Sequence, residues 1–341
     1  MPMDKIALIR LSSLGDVILA EPLAANLKIN YADSEITFFT RSQYLPIVEM
    51  FSSVDHAVGF DYDNRHSDKQ SIKAELGYQG RGYDLALDIH KVHRSHFILK
   101  NLKAKKKLTY SKNGIYRWWS VVTKNKKVET HTLDRYLRPL QQLGLKIHAR
   151  NPSLSVPEEA VTDARGILTD NNLAEDEFVV LAVGASYPTK HYPLPQFVEL
   201  ARLIIEKYGL KVMVVEKNRY DYLNLFDDLS QTGSLMLGID YDIPVLAGIL
   251  SKARLTVSND SGVMHLASAC GSPTLGLFGP THPVLGFAPL GDNSLALTAD
   301  VKCSPCSLHG QKLCYRDQQY CFTELTPELV LEKADNLLGR S

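Results

Sequence analysis

The chain lacks any apolar run approaching the roughly 20 residues that a membrane-spanning helix requires. Its first apolar stretch, residues 6–11, is too short for a signal-peptide core and leads straight into a glycine-bearing turn. Neither a membrane span nor secretion is therefore expected; the protein is expected in the cytoplasm, with any membrane contact peripheral. Cysteine is scarce, five in 341 residues, which excludes a secreted disulfide scaffold. There is no excess of either charge: the formal net charge is zero, so the molecule as a whole is not biased towards nucleic acid. The sequence also lacks repeats of solenoid period and long low-complexity tracts.

What is present is an alternation of short apolar stretches with helical ones. The hydrophobic and charged fractions, 45% and 22%, are those of an ordinary globular protein, and the length favours two domains. Residues 5–11 (KIALIRL), 35–40 and 83–89 read as buried parallel strands, and 107–110 as a further one. Residues 17–30 read as a helix, as do 131–143, which end at Gly144, a C-cap glycine. The polar, proline-bearing stretch 151–159 reads as a linker. Beyond it the pattern restarts, with strands at 177–183, 211–215, 254–258 and 274–278 and helices at 195–208, 243–252 and 262–270. The expectation is an α/β protein with two doubly wound, Rossmann-like domains, residues 1–152 and 160–341, facing a central cleft. The last helix is open to packing back on the first domain.

In such sheets ligands bind beyond the carboxyl ends of the strands, so the loops that follow strands carry the functional information. After the first strand comes Ser12-Ser13-Leu14-Gly15-Asp16. Gly15 suits a tight turn and close backbone approach. Asp16 reads either as a helix N-cap or as a general base. The full G-x-G-x-x-G spacing is missing, which argues against a dinucleotide fingerprint. In the second half, Ser258-Asn259-Asp260-Ser261-Gly262-Val263-Met264-His265 spans a strand-to-helix junction. Asp260 or Ser261 suits the cap, and the free N–H groups of Ser261, Gly262 and Val263 suit a diphosphate. His265 reads either as a core histidine or as a phosphate contact. Lys190, after the glycine turn Val183-Gly184-Ala185-Ser186, reads either as a solvated surface lysine or as a point charge for a leaving diphosphate. Phe278-Gly279-Pro280-Thr281-His282-Pro283 reads as a rigid chain reversal.

Three stretches, KIALIRLSSLGDVILAEPLAANLK, VGASYPTKHYP and SNDSGVMHLASACGSPTLGLFGPTHP, together resemble glycosyltransferase family 9, the ADP-heptose:lipopolysaccharide heptosyltransferases. They stand in the family's order across nearly the whole chain. The resemblance implies a GT-B fold, with the acceptor on the N-terminal domain and an ADP-sugar donor on the C-terminal one. It implies inverting transfer of heptose to a lipopolysaccharide inner-core acceptor, with no cofactor required for catalysis. Carried over by position, Asp16 resembles the catalytic base. Ser186, Lys190, Glu216, Asp260, Ser261, Gly262 and His265 resemble the donor-binding set. Ser13, Gly15 and Arg94 fall on the acceptor side. Tyr192 departs from the family, where tryptophan is commoner.

Two features lie outside these motifs. Residues 91–127 hold twelve Lys or Arg and no Asp or Glu, and include Lys105-Lys106-Lys107 and Trp118-Trp119. This reads either as a solvated basic face or as a site for an anionic, lipid-linked saccharide acceptor at the inner membrane; the strand-end loops argue against nucleic acid. Cys303, Cys306, Cys314 and Cys321 begin with C-x-x-C and read as a structural zinc site, a redox-labile disulfide pair or free thiols. The rival functions are a sibling transferase using another nucleotide sugar and a non-catalytic protein that binds nucleotide or nucleic acid.

Overall fold

The computed structural model describes residues 3–61, 82–112, 114–127 and 130–339. The chain forms two compact units, residues 1–112 with 132–155, and residues 113–131 with 156–341. Residues 113–131, expected in the first domain, thus belong by their contacts to the second. The terminal helix packs within the second unit: Val330, Ala334 and Leu337 join that unit's core.

The first unit is one parallel sheet in the order β3-β2-β1-β4-β5. Its strands are β1 (Lys5–Ile9), β2 (Glu35–Arg41), β3 (His56–Phe60), β4 (Tyr83–Asp88) and β5 (Ala104–Thr109). β1 lies at the centre, where Ile6, Ala7, Leu8 and Ile9 are fully buried. A strand covered on both faces has to be apolar at consecutive positions, which is why it reads as an unbroken run. The helix expected at 17–30 is two helices, α1 (Leu14–Ile18) and α2 (Glu21–Asn30). Pro22 at the second position of α2 has no N–H to continue the preceding turn, so the chain restarts there. α3 (Leu45–Val48) and α4 (His93–Asn101) follow β2 and β4. Strand β5 is longer than expected and lies at the sheet edge, where Lys105, Lys106 and Lys107 are exposed and blunt the open hydrogen-bonding groups.

In chain order there follow α5 (Gly114–Thr123), which belongs to the second unit, and α6 (Thr132–Gln142), which returns to the first. Buried Asn26 fastens the end of the first unit. Its amide donates to the Ala149 carbonyl (2.7 Å), and its oxygen accepts from the N–H groups of His148 (2.5 Å) and Ala149 (3.1 Å).

The second unit is a six-stranded parallel sheet in the order β11-β10-β9-β6-β7-β8. Its strands are β6 (Phe178–Ala182), β7 (Lys211–Glu216), β8 (Leu235–Ile239), β9 (Leu255–Asn259), β10 (Thr274–Phe278) and β11 (Ser294–Thr298). The helices used below are α7 (Glu158–Asp170), α8 (Leu194–Tyr208), α9 (Asp227–Gln231), α10 (Ile243–Leu250), α11 (Gly262–Ala269), α12 (Tyr320–Thr323) and α13 (Pro327–Leu338). Among the described residues no helix is long and apolar enough to cross a membrane.

Each sheet reverses its order beside its first strand, at β1/β4 in one unit and at β6/β9 in the other. These are the topological switch points, where the loops leaving two neighbouring strands diverge and open a crevice.

Candidate active site

At the first switch point, β1 leads to Arg10 and β4 to Ile89 and His90. Arg10 donates from Nη1 to the Ile89 carbonyl (2.8 Å), and the Leu11 N–H donates to His90 Nδ1 (3.3 Å). The imidazole proton therefore sits on Nε2. Burial and the neighbouring Arg10 guanidinium push the His90 pKa down to about 3, so the ring is neutral. Buried Asp88 ties the loop: it accepts from the N–H groups of His90 (2.8 Å) and Lys91 (2.9 Å) and from the Ser95 hydroxyl (2.9 Å).

Asp16 is the centre of this site. Arg10 Nη2 lies 2.8 Å from Oδ1, the Tyr136 hydroxyl donates to Oδ1 at 2.8 Å, and the Ser13 hydroxyl donates to Oδ2 at 3.0 Å. Burial alone would raise the Asp16 pKa; the Arg10 guanidinium and the two hydroxyls outweigh it and hold the carboxyl below its usual range. Asp16 is not the N-cap. Ser13 takes that place, with extended backbone, and Asp16 is the third residue of the helix. Gly15, expected in a tight turn, is a buried helical residue. Arg94 is exposed in the first turn of α4, beyond the loop from β4.

At the second switch point Asn259, fully buried at the end of β9, spans to the loop from β6. Its amide donates to the Val183 carbonyl (2.7 Å), and its oxygen accepts the Tyr192 N–H (2.9 Å). Tyr192 is fully buried against Phe197 and Phe322, so an aromatic other than tryptophan fills this place. Lys190 is not a solvated lysine. Its ammonium lies 2.9 Å from Asp260 Oδ2, with both side chains close to nine-tenths buried. The Thr281 hydroxyl donates to the same oxygen at 2.7 Å, which brings the 278–283 turn into the site. Asp260 is thereby occupied, and Ser261 is the N-cap of α11, its hydroxyl 3.3 Å from that of Ser258. Gly262 and His265 lie in the first turn, His265 buried. A helix start leaves N–H groups without intrahelical partners, and here a lysine ammonium is fixed at the same strand ends.

Glu216 ends β7 beside these loops. It accepts from the Lys217 N–H (2.7 Å) and the Tyr222 hydroxyl (3.0 Å). A Cβ on Gly184 would stand 2.8 Å from Glu216 Oε1, so only glycine lets the β6 loop come so close to the carboxylate. Ser186 is exposed in that loop. A D-x-D sequence, Asp240-Tyr241-Asp242, follows β8; Asp242 caps α10 and the Asp240 N–H donates to the Glu216 carbonyl (3.0 Å).

All five cysteines are free thiols. Cys303, Cys306, Cys314 and Cys321 line one small cavity with Pro280 and Tyr320. Among the described residues no three His, Cys, Asp or Glu side chains are arranged to hold a metal ion. The segment does brace the loop that carries Lys190. The Thr189 hydroxyl donates to the Gly310 carbonyl, and Gly310, at φ +82°, packs so closely on the Lys190 stem that a Cβ would come within 2.5 Å of it.

Arg10, Tyr136, Asn259 and Thr281 were not among the expected site residues. Arg10 carried a signal, a charge closing an otherwise unbroken apolar strand. Tyr136 carried none, because it reaches Asp16 from a helix 120 residues away.

Two doubly wound units, each with polar groups converging on its switch point, define the α/β class to which GT-B transferases belong. The chain belongs to glycosyltransferase family 9: the profile described as Glycosyltransferase family 9 (heptosyltransferase) matches residues 71–315. It is a glycosyltransferase of this family. The lipooligosaccharide heptosyltransferase 2 of Campylobacter jejuni is 24% identical over 332 residues, 96% of each chain. The fold matches a glycosyltransferase family 9 structure from Veillonella parvula, with TM-score 0.79 and 19% identity, covering 100% of this chain and 99% of that one. It also matches the ADP-heptose lipopolysaccharide heptosyltransferase II of Escherichia coli, with TM-score 0.73 and 20% identity, covering 98% and 99%. Family membership removes the non-catalytic alternative.

Proposed function

We propose that this chain moves heptose from ADP-heptose to an inner-core acceptor of lipopolysaccharide, inverting the anomeric carbon without a metal ion. The observation that carries the reading is the Lys190 ammonium fixed by Asp260 where α11 begins. The names of its relatives supply the sugar and the acceptor class.

In this reading an acceptor hydroxyl attacks the anomeric carbon as the bond to the diphosphate oxygen breaks. The hydroxyl proton passes to Asp16, which is already a carboxylate. A single displacement inverts the centre. The departing ADP meets Lys190 and the N–H groups of Ser261 and Gly262, with His265 in the same turn, and this fixed positive field takes the place of a cation. Glu216 accepts from ribose hydroxyls, and Ser186 contacts phosphate or sugar. Ser13, Gly15 and Arg94 line the acceptor side.

The acceptor is an anionic, lipid-linked saccharide, which puts the enzyme at the cytoplasmic face of the inner membrane. Structural zinc is a further proposal, supported by four thiols around one cavity. Elemental analysis of purified protein decides it: zinc at one per chain, lost on Cys303→Ser, is expected, and its absence removes it.

The central test is to incubate the enzyme with a panel of nucleotide sugars and truncated lipopolysaccharide acceptors and to weigh the products. One heptose added from ADP-heptose alone is expected. A product formed only from another nucleotide sugar would make the protein a sibling transferase and overturn the heptose assignment.

A further inference from the structure

Helix α5 is built inside out. An ordinary surface helix presents its apolar stripe to the core and its charges to water. Here positions 117, 120 and 121, spaced i, i+3, i+4, form the inward face, with a cation at its start and Lys124 just past the helix end. The Arg117 guanidinium lies over the Phe287 ring, 5.0 Å from its centre. Ser120 is fully buried, and Val121 packs with Val284, Leu285 and Leu308. Lys124 donates to the carbonyls of Val121 (2.8 Å) and Pro305 (3.0 Å). The outward face begins two residues earlier, at spacing i, i+3, i+4, i+7, and it is apolar: Ile115 is 84% exposed, Trp118 56%, Trp119 44% and Val122 55%.

Four large apolar side chains in one solvent-facing helical stripe mark a surface that meets something else. Two of them are tryptophans, whose rings combine a large apolar face with an N–H donor and concentrate where hydrocarbon meets water. The helix is flanked by exposed Lys126 and Lys127 and closes a stretch, residues 91–127, without one acidic residue. Asp300 pairs with Lys126 (3.0 Å). A protein partner would need an apolar groove bordered by acids. A bilayer holding anionic lipid provides the apolar layer and the negative border together, and binds through both.

We propose that α5 is the element by which the protein docks on an anionic lipid surface, lying in the plane of the membrane with Ile115, Trp118, Trp119 and Val122 in the interfacial layer. The proposal deepens the membrane reading above, and rests on it only for the purpose of docking, the delivery of a lipid-linked acceptor. The docking itself requires no transfer.

The chain's two tryptophans are both on this face, so selectively excited tryptophan fluorescence reports on it alone. Full-length protein is mixed with vesicles of phosphatidylethanolamine and phosphatidylglycerol, with vesicles of phosphatidylcholine alone, and with vesicles carrying bromine-labelled acyl chains. A blue shift, quenching by the brominated lipid and co-sedimentation with the phosphatidylglycerol vesicles are expected. The double variant Trp118→Ser/Trp119→Ser and the single variant Val122→Glu should each lose at least about tenfold in vesicle partitioning. Their ADP binding and transfer to a detergent-free, delipidated acceptor should stay as in the parent. Co-sedimentation undiminished in both variants overturns the proposal, as does equal binding to phosphatidylcholine. A blue shift that follows protein concentration without vesicles makes the face a contact between copies and also overturns it. Loss of transfer to the soluble acceptor in the unmodified protein, with vesicle binding intact, counts against the proposed reaction and not against docking.

Discussion

Asp16 is held by more groups than a helix terminus needs. A capping carboxylate requires an N–H or two; this one also takes a guanidinium and two hydroxyls. Asp16→Asn should therefore lower the transfer rate by about 10²–10⁴-fold while calorimetry finds ADP affinity unchanged; retained transfer would move the base elsewhere. Because the folded Asp16 pKa lies below the ordinary value of 3.8, its contribution to stability is present above that pH and is lost only as pH falls through the folded value. The acid limb of the rate profile should accordingly show no Asp16 titration near neutrality, and Tyr136→Phe, which removes one donor, should move that limb upward. Glu21 behaves oppositely. It is buried, accepts from the Ser153 N–H (3.1 Å), and burial pushes its pKa from 4.5 up to about 7. Between these values the folded state holds the extra proton, so stability falls as pH rises from 4.5 to 7. Glu21→Gln should flatten that slope in urea titrations and be the more stable form at pH 8 by up to about 3 kcal/mol. Position at strand ends marked Asp16, Lys190 and Asp260 as candidates, and the family resemblance supplied the roles proposed for them. Whether Lys190 was solvated could not be read from the sequence, because that depends on Asp260 and Gly310, far along the chain.

At the level of elements, the central strands announced themselves. β1, β4, β6, β7, β9 and β10 are buried along nearly their whole length, and their sequences are correspondingly rich in apolar residues. The edge strands β3, β8 and β11 are partly exposed and carry mixed, short patterns that no periodicity separates from loop. The site shares this bias, since it sits where the most legible strands end. At the second switch point Asn259 joins β9 to the β6 loop through two buried hydrogen bonds. Asn259→Ala should strand the Val183 carbonyl and the Tyr192 N–H. A loss of about 1–3 kcal/mol in chemical denaturation is expected, together with weaker ADP binding, because the Lys190 loop leaves from the same anchor. A variant that loses stability but keeps full ADP affinity would separate the anchor from the donor site.

For the whole molecule, composition and alternation were enough for two α/β units. The assignment of residues 113–131 to the second unit was not visible, because it follows from packing such as Val121 on Val284 and Leu285 rather than from chain order. Added ADP should slow amide exchange at 183–190, 216–222, 258–265 and 278–283 and leave the Asp16 site unaffected. Protection spread evenly over both units would contradict a donor site confined to the second. Transfer should also survive EDTA undiminished if no metal takes part, whereas loss restored by added Mg²⁺ would give the Asp240-Tyr241-Asp242 loop a role.

The two switch points also share a kinetic property. Within each sheet most neighbouring strands are joined by short stretches of chain, but Ile6 pairs with Leu85 and Val179 with Leu255. These pairings close the longest loops in their sheets, and long closures are the slow steps of folding. The seam that each active-site half straddles is thus the seam zipped last. In refolding from urea, helical signal should return first, and ADP binding should trail it by the time the β6–β9 seam takes to close.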